Sequence, residues 1–390
     1  MLFASATTTE HNPNAAVGAL AAQIGARGIE HRPDLVLAFL SGHSARTARE
    51  IVESLNAALD PRVLAACTAE GVIGHEEEIE REPAVAIVAA RLPGVELAPF
   101  AIQADEWRDV LGGAEAFRRA VAAPEAVKMF ILIADPFTSP MDEVLEAFNT
   151  HYPGVPVIGG MASGAQMPGG NLLVLNHQYL NAGGVGISLA GSFDVEIVVS
   201  QGCRPIGRPL TVTGAEDNII LGIEGKPAFI EVRELFATLS EEERALLQNG
   251  LFVGRAIKPV DEEVGRGDFL IRGVLGGDPE SGAMAIGDTI GEGETIQFHV
   301  RDAATAQEDL EMMLLPQTFR DPPAGAFLFS CNGRGRRLYD HPNGDISAIQ
   351  QMIGVTPLAG FFCAGEIGPI GGKNFLHGHT ASLALIRPVS

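Results

Sequence analysis

Basic residues are scarce in this chain: 27 lysines and arginines stand against 49 aspartates and glutamates, for a formal net charge of -22. That shortage excludes a nucleic-acid partner, because phosphate binding needs a basic face, and it disfavours an acidic membrane surface for the same reason. Long hydrophobic runs are also missing. The apolar stretches are strand-sized and broken by Gly or Pro, so none reaches the roughly 20 residues needed to cross a bilayer. Met1 to Glu10 lacks a basic n-region and a long apolar core, and no signal peptide is expected. Cysteine is sparse. Cys67, Cys203, Cys331 and Cys363 form no CxxC pair, which excludes a disulfide framework and fits reduced thiols in a cytoplasmic protein. Nucleotide fingerprints are absent as well. The run Ala182-Gly-Gly-Val-Gly-Ile-Ser188 lacks a P-loop lysine and does not open a helix, and Asn332-Gly-Arg-Gly335 lacks dinucleotide spacing. No cofactor is assigned.

What is present is apolar mass and repetition. With 390 residues and 46% hydrophobic content the chain can bury a large core, and two domains are expected. Leu35 to Ser41 reads as a strand, Ala45 to Leu59 as a helix, Val63 to Gly71 as a second strand and Ala84 to Ala90 as a third. The same strand-helix-strand-strand order recurs at Met129 to Ala134, Met141 to His151, Val157 to Gly164 and Gly183 to Leu189. It recurs again at Ala326 to Ser330, Ile346 to Ile353, Leu358 to Gly365 and Ala381 to Ile386. Aligning the second strands places Gly71, Gly164 and Gly365 in one column, with Ala66, Gly159 and Gly360 five residues earlier. Small residues therefore recur where this strand leaves its sheet, for close packing or for backbone approach to a ligand in a shared cleft. Between the second and third copies, Ile219 to Ile223, a helical stretch from Ala228 to Gln248, Leu251 to Ile257 and Phe269 to Gly276 look like a degenerate fourth unit. Ser240-Glu-Glu-Glu243 inside it is a capping box. The fold class is α/β (α+β): mixed β-sheets covered by helices, in two fused domains divided near Gly222 to Pro227.

One region concentrates chemistry. Phe329-Ser-Cys-Asn-Gly-Arg334 and Gly360-Phe-Phe-Cys-Ala-Gly-Glu-Ile-Gly368 put glycines, arginines, two cysteines and a carboxylate at predicted strand ends. Arg334, Arg336 and Arg337 reverse the sign of the charge locally. Such a cluster suits an ion-paired surface loop, an internal clamp on a carboxylate, or an anion site. Together with Leu35 to Ser41 and the Leu64-Ala-Ala-Cys-Thr-Ala-Glu-Gly-Val-Ile-Gly74 turn, these segments resemble the FIST family over about residues 14–387, with a FIST N-terminal domain at 28–224 and a FIST C-terminal domain at 225–387. The resemblance implies a sensory or signal-transduction module binding small ligands such as amino acids. The chain is similar to stand-alone bacterial members; it carries no F-box, kinase, methyl-accepting or cyclase segment, so any output partner is expected to be a separate signalling protein.

Candidate ligand-binding residues follow from the strand ends. Arg334 could receive a carboxylate and Glu366 an ammonium group, with an ordinary Arg334–Glu366 salt bridge as the plain alternative. Cys331, Asn332, Gly333, Cys363 and Gly365 stand beside them, and Cys67, Thr68 and Glu70 occupy the equivalent place in the first copy. Asn374 could add hydrogen bonds to the same cleft. A cysteine-dependent enzyme using Cys331 or Cys363 is the alternative reading, and a ligand-free interaction scaffold is a third. His377 and His379 could form half of a metal site, but no third ligand lies nearby and no metal is assigned. His75 to Arg81 reads as a solvated turn.

Overall fold

A computed structural model of the chain describes residues 1–247, 250–257 and 266–389. Residues 1–199 with 310–390 form one compact unit and residues 200–309 a second. The first unit contains the three copies expected from the sequence, each longer than the sequence pattern indicates.

The first repeat runs β1 (Leu2–Thr8), α1 (Pro13–Ala26), β2 (Leu35–Ser41), α2 (Ala45–Leu59), β3 (Val63–Ala69), the hairpin β4 (Gly71–Gly74) and β5 (Glu78–Glu80), then β6 (Ala84–Arg91). The second has β7 (Val95–Ile102), α3 (Trp107–Val110), α4 (Ala114–Val121), β8 (Val127–Ala134), α5 (Met141–His151), β9 (Val157–Met161), the hairpin β10 (Leu173–Leu175) and β11 (Gln178–Leu180), then β12 (Gly184–Gly191). The third opens with β13 (Phe193–Ser200). There the chain departs into the second unit: β14 (Cys203–Glu216), β15 (Ile219–Ile223), β16 (Lys226–Pro227), α6 (Ala228–Thr238), α7 (Glu241–Leu246), β17 (Phe252–Ala256), β18 (Phe269–Gly277), β19 (Met284–Ile286) and β20 (Thr295–Arg301). It resumes through α8 (Ala303–Leu314), β21 (Gly325–Cys331), α9 (Arg336–Tyr339), α10 (Gly344–Ile353), β22 (Leu358–Cys363), the hairpin β23 (Glu366–Ile370) and β24 (Lys373–His377), and β25 (Ala381–Pro388).

The sheets show how the repeats are joined. Their orders are β1-β6-β2-β3-β10-β11, β7-β12-β8-β9-β23-β24 and β13-β25-β21-β22-β4-β5. Each repeat supplies four strands of its own sheet and sends its hairpin to another: the first to the third, the second to the first, the third to the second. The arrangement is cyclic. The central pairs β2–β3, β8–β9 and β21–β22 are parallel and their outer neighbours antiparallel. The inner faces of all three sheets share one core, in which Phe39, Phe329 and Phe361 meet with ring centroids 5.0–6.1 Å apart. The outer faces are covered by α1 and α2, by α4 and α5, and by α8 and α10. Strands apolar on both faces read as the continuous hydrophobic runs seen in the sequence.

The column glycines have steric reasons. A Cβ at Gly71 would lie 2.9 Å from Phe362 Cδ2, one at Gly164 2.7 Å from Thr68 Cβ, and one at Gly365 3.2 Å from Met161 Cγ. Thr68, Met161 and Phe362 each precede their own repeat's glycine by three residues, so the contact is the same at every corner. Five residues upstream, Gly159 and Gly360 face Leu132 O and Leu328 O, where a Cβ would sit 1.8 and 1.7 Å away.

The second unit differs from the fourth copy expected in the sequence. Its sheet, β14-β20-β17-β18-β19-β15-β16, pairs antiparallel throughout its recorded ladders. It therefore lacks the parallel strand-helix-strand core that defines the repeats. Ser240 does form the expected capping box with Glu243. Gln248, the end of the helical stretch expected at 228–248, lies outside the described residues. The expected division at 224/225 lies within residues 200–309, the second unit, while β13 and β25, on either side of it in sequence, are sheet neighbours.

Replacing Gly360 with alanine forces backbone to move against backbone and is expected to cost more than about 2 kcal/mol in urea denaturation. Gly18→Ala, in α1 with open space around it, is the control and should gain up to about 1 kcal/mol.

Candidate functional site

At the corner where the first repeat crosses to the third sheet, β3 ends and Glu70 precedes β4. Its main-chain N–H donates to Ser163 Oγ at 2.9 Å, and Ser163 in turn donates to Phe362 O, tying all three repeats together. On the other side β21 ends at Cys331, and Asn332 to Gly335 form the exit loop. Asn332 N donates to Cys363 O at 2.8 Å, and its Nδ2 donates to Glu70 Oε2 at 3.1 Å. Arg337 Nη1 donates to Asn332 O at 2.8 Å and to Glu70 Oε2 at 3.2 Å, while Nη2 pairs with Glu70 Oε1. These groups border a cavity of about 150 Å³, lined by Glu70, Gly71, Glu80, Arg81, Asn332, Arg337 and Phe362. The turn past it is tight: Gly335 has φ +56°, and a Cβ there would lie 2.7 Å from Glu80 Oε1, which accepts from Arg336 N.

Sheet register shows that this corner is special among three. Glu70 corresponds to Ser163 and Ala364, and Asn332 corresponds to Gly42 and Pro136. Equivalent backbone is thus decorated with a carboxylate and an amide at one corner only.

Behind the cavity lies a buried charge cluster. Arg334 is 0% exposed; its Nε and Nη2 hold Asp345 at 2.7–3.1 Å, and Nη2 also donates to the Tyr339 hydroxyl at 2.7 Å. Tyr339 and Ser330 donate to the two Asp345 oxygens, each at 2.7 Å. Burial opposes the ionised form of Asp345, but the charge and hydrogen bonds of Arg334, joined by those of Ser330 and Tyr339, hold its pKa below the ordinary value. Glu78 joins this cluster from β5. Its N donates to Asn343 Oδ1 at 2.8 Å and its Oε1 accepts from Ile346 N at 2.9 Å, fastening the start of α10. Burial, followed by the negative charge of Asp345, pushes its carboxyl up to about 8. His75 to Arg81 is therefore not simply the solvated turn expected from its charge; Glu78 is only 5% exposed.

The ten residues singled out in the sequence divide accordingly. Glu70 and Asn332 line the cavity, and Gly333 follows in the same loop, its N–H facing Cys331 Sγ at 3.4 Å. Arg334 lies behind it on Asp345. Cys67 and Cys363 are enclosed in the shared core, where burial pushes both thiols upward, and Glu366 adds to the effect at Cys363. Thr68 is buried, with Oγ1 accepting from Leu172 N at 2.9 Å. Gly365 packs at the next corner, and Glu366 is 0% exposed on β23 with Oε2 accepting from Thr380 N at 3.0 Å. Asn374 holds Val155, Val157 and Asn149. His377 is hydrogen-bonded to Gly368 O. Sequence reasoning missed Glu80, Arg81, Asp345 and Tyr339. The alternation Glu78-Ile-Glu80 was the available sign of a strand there.

The fold and this corner define an α/β repeat protein with a small polar cleft at one of its corners. The chain matches the FIST N domain over residues 34–226 and the FIST C domain over 228–369, and it belongs to the FIST family. FIST domains are sensory, ligand-binding modules of signal transduction. An uncharacterized protein of Mycobacterium tuberculosis (strain ATCC 25618 / H37Rv) is 39% identical over 353 residues, and one of Mycobacterium bovis is 42% identical over 353 residues; each alignment covers 90% of both chains. The FIST C match spans most of the inserted unit and continues into the third repeat, ending in β23. Among the described residues no helix is long and apolar enough to cross a membrane.

A carboxyl with a folded pKa near 8 and an ordinary value of 4.5 binds its proton more tightly in the folded chain, so its contribution is greatest below pH 4.5 and is lost as pH rises to about 8. The urea midpoint should fall across that interval, and Glu78→Gln should flatten the slope; a wild-type midpoint rising from pH 5 to 8 would contradict this. Arg334→Ala, which strands Asp345, should cost about 3–5 kcal/mol at pH 7 by the same assay.

Proposed function

We propose that this chain is a small-molecule sensor whose ligand, an amino acid or related small carboxylate, enters the corner between Glu70 and Arg337. The reading rests on the symmetry-breaking charges at one corner of three. Pair energies support the choice of residues. Glu70 and Arg337 are 34% and 53% exposed, and such a pair contributes only about 0–1 kcal/mol, so a ligand can separate it at little cost. Arg334 and Asp345 are both 0% exposed, and opening that pair would cost several kcal/mol. Arg337 then meets the ligand carboxylate with its guanidinium fork, Glu70 meets an ammonium group, and Asn332 supplies a neutral hydrogen bond. The cavity is smaller than the roughly 300–1,000 Å³ of drug-sized sites, which suits a metabolite of few atoms. A cysteine-dependent reaction at Cys331 or Cys363 has less support, since both thiols are buried and burial disfavours the Cys363 thiolate. Its setting is the cytoplasm, in keeping with four free cysteines, and its output passes to a separate signalling protein.

Calorimetry against amino acids and small carboxylates tests the site. Arg337→Ala and Glu70→Gln are each expected to weaken a responsive ligand at least tenfold, about 1.4 kcal/mol, without lowering the melting temperature. Unchanged affinity in both variants would remove the ligand from this corner.

A further inference from the structure

A second cavity, of about 710 Å³, lies at the opposite end of β21, beside its first residues and the last residues of β25. Its lining includes Lys128, Phe193, Asp194, Arg320, Asp321 and Arg387. Its ten lining residues include three cations and two carboxylates, an excess of positive charge in a chain whose net charge is -22. Two of the cations are accounted for. Arg320 is paired with Asp194 and Glu196, and Lys128 Nζ donates to Phe193 O at 2.7 Å. Arg387 is different. It is 5% exposed, its Nε donates to Asp321 O at 2.7 Å, and neither Nη1 nor Nη2 has a hydrogen-bond partner among the described residues.

Symmetry sharpens the point. Through the pairing of Ile386 with Gly325 and of Ala90 with Leu35, Arg387 falls in register with Arg91 of the first repeat. Arg91 is exposed and donates to His31 O at 3.1 Å. The repeat therefore accommodates an arginine here in solvent, and only the third copy encloses one. Burial and the neighbouring Arg320 disfavour this charge, Asp194 and Asp321 offset part of that cost without bonding its Nη nitrogens, and a bound anion would offset more. Those two nitrogens form the planar fork that matches two oxygens of a phosphate or carboxylate.

We propose that this cavity is an oxyanion site in which Arg387 binds two oxygens of the anion through its Nη nitrogens and Lys128 supplies a second positive charge. It is separated by the length of β21 from the corner at Asn332, so it takes its anion independently of Arg337.

The test uses the full chain with inorganic phosphate and, in parallel, succinate, each against chloride at matched ionic strength. A melting temperature higher by a few degrees in one oxyanion supports the site and tells phosphate from carboxylate; equal values in all three salts overturn it. The response should vanish in Arg387→Met and persist in Arg337→Ala, which separates this site from the corner. Should Arg387→Met fail to fold, Lys128→Met at an exposed position should raise the phosphate dissociation constant about tenfold in a ³¹P NMR titration. An undiminished response in whichever variant folds would refute the assignment.

Discussion

The cyclic exchange of hairpins is the constraint on which the rest of this molecule depends. A repeat of four strands would leave its second strand as an open edge, with unpaired N–H and C=O groups along β3, β9 or β22. Each edge is closed by a hairpin that belongs to another repeat: β10 on β3, β23 on β9 and β4 on β22. No repeat can complete its sheet alone. The exchange also dictates where small residues must stand. Each crossing chain passes over the end of a neighbouring second strand, and the corner glycines at 71, 164 and 365 leave room for Phe362, Thr68 and Met161. The shared core of aromatic rings then follows, because three sheets closed in this way turn one face each toward a common interior.

A threefold plan leaves three similar corners, and chemistry appears where the plan is broken. At the corner between the first and third repeats, the crossing residue is Glu70 and the loop residue is Asn332; elsewhere these places hold Ser163, Ala364, Gly42 and Pro136. The same corner has its own foundation. One face of β5 presents Glu78 and Glu80, two residues apart and so on the same side of the strand. Glu80 meets Arg336 N beside the cavity, and Glu78 meets Ile346 N at the start of α10. Buried and exposed charges therefore divide their work: Arg334 and Asp345 hold the scaffold, while Glu70 and Arg337 remain at the surface.

Much of this architecture was legible in the sequence, and the part that was not has a physical cause. Strands buried on both faces write themselves as unbroken apolar runs, so β2, β3, β8, β9, β21 and β22 could be read directly, as could the repeat and its glycine column. The hairpin exchange could not, because hydrophobic pattern records that a strand is buried and not which chain segment pairs with it. In sequence the inserted unit looks like a further copy, since short strands beside a helix look alike whether the ladder is parallel or antiparallel. At the corner, Glu70 and Asn332 were found through their place at strand ends. For Arg334 the sequence leaves open a receptor for a ligand carboxylate and an internal clamp on one of the chain's own; the structure makes it the clamp, with a bidentate partner, Asp345, that an acidic first turn of α10 already explained on ordinary helical grounds. Glu78 was hidden in a run of acids whose composition suggests solvent.

The placement of Arg334 carries a wider lesson about arginine clusters in acidic proteins. Three arginines lie within four residues, and charge alone treats them as equivalent. Burial separates them: Arg334 is enclosed with a carboxylate and two hydroxyl-bearing neighbours, and Arg337 is half exposed, paired with the partly exposed Glu70. In water the exchange of one anion for another on an exposed guanidinium costs little, while in the interior the departing partner leaves an uncompensated charge. Across one short turn, the same side chain is thus a fixed internal brace at one position and, three residues later, half of a weakly held surface pair.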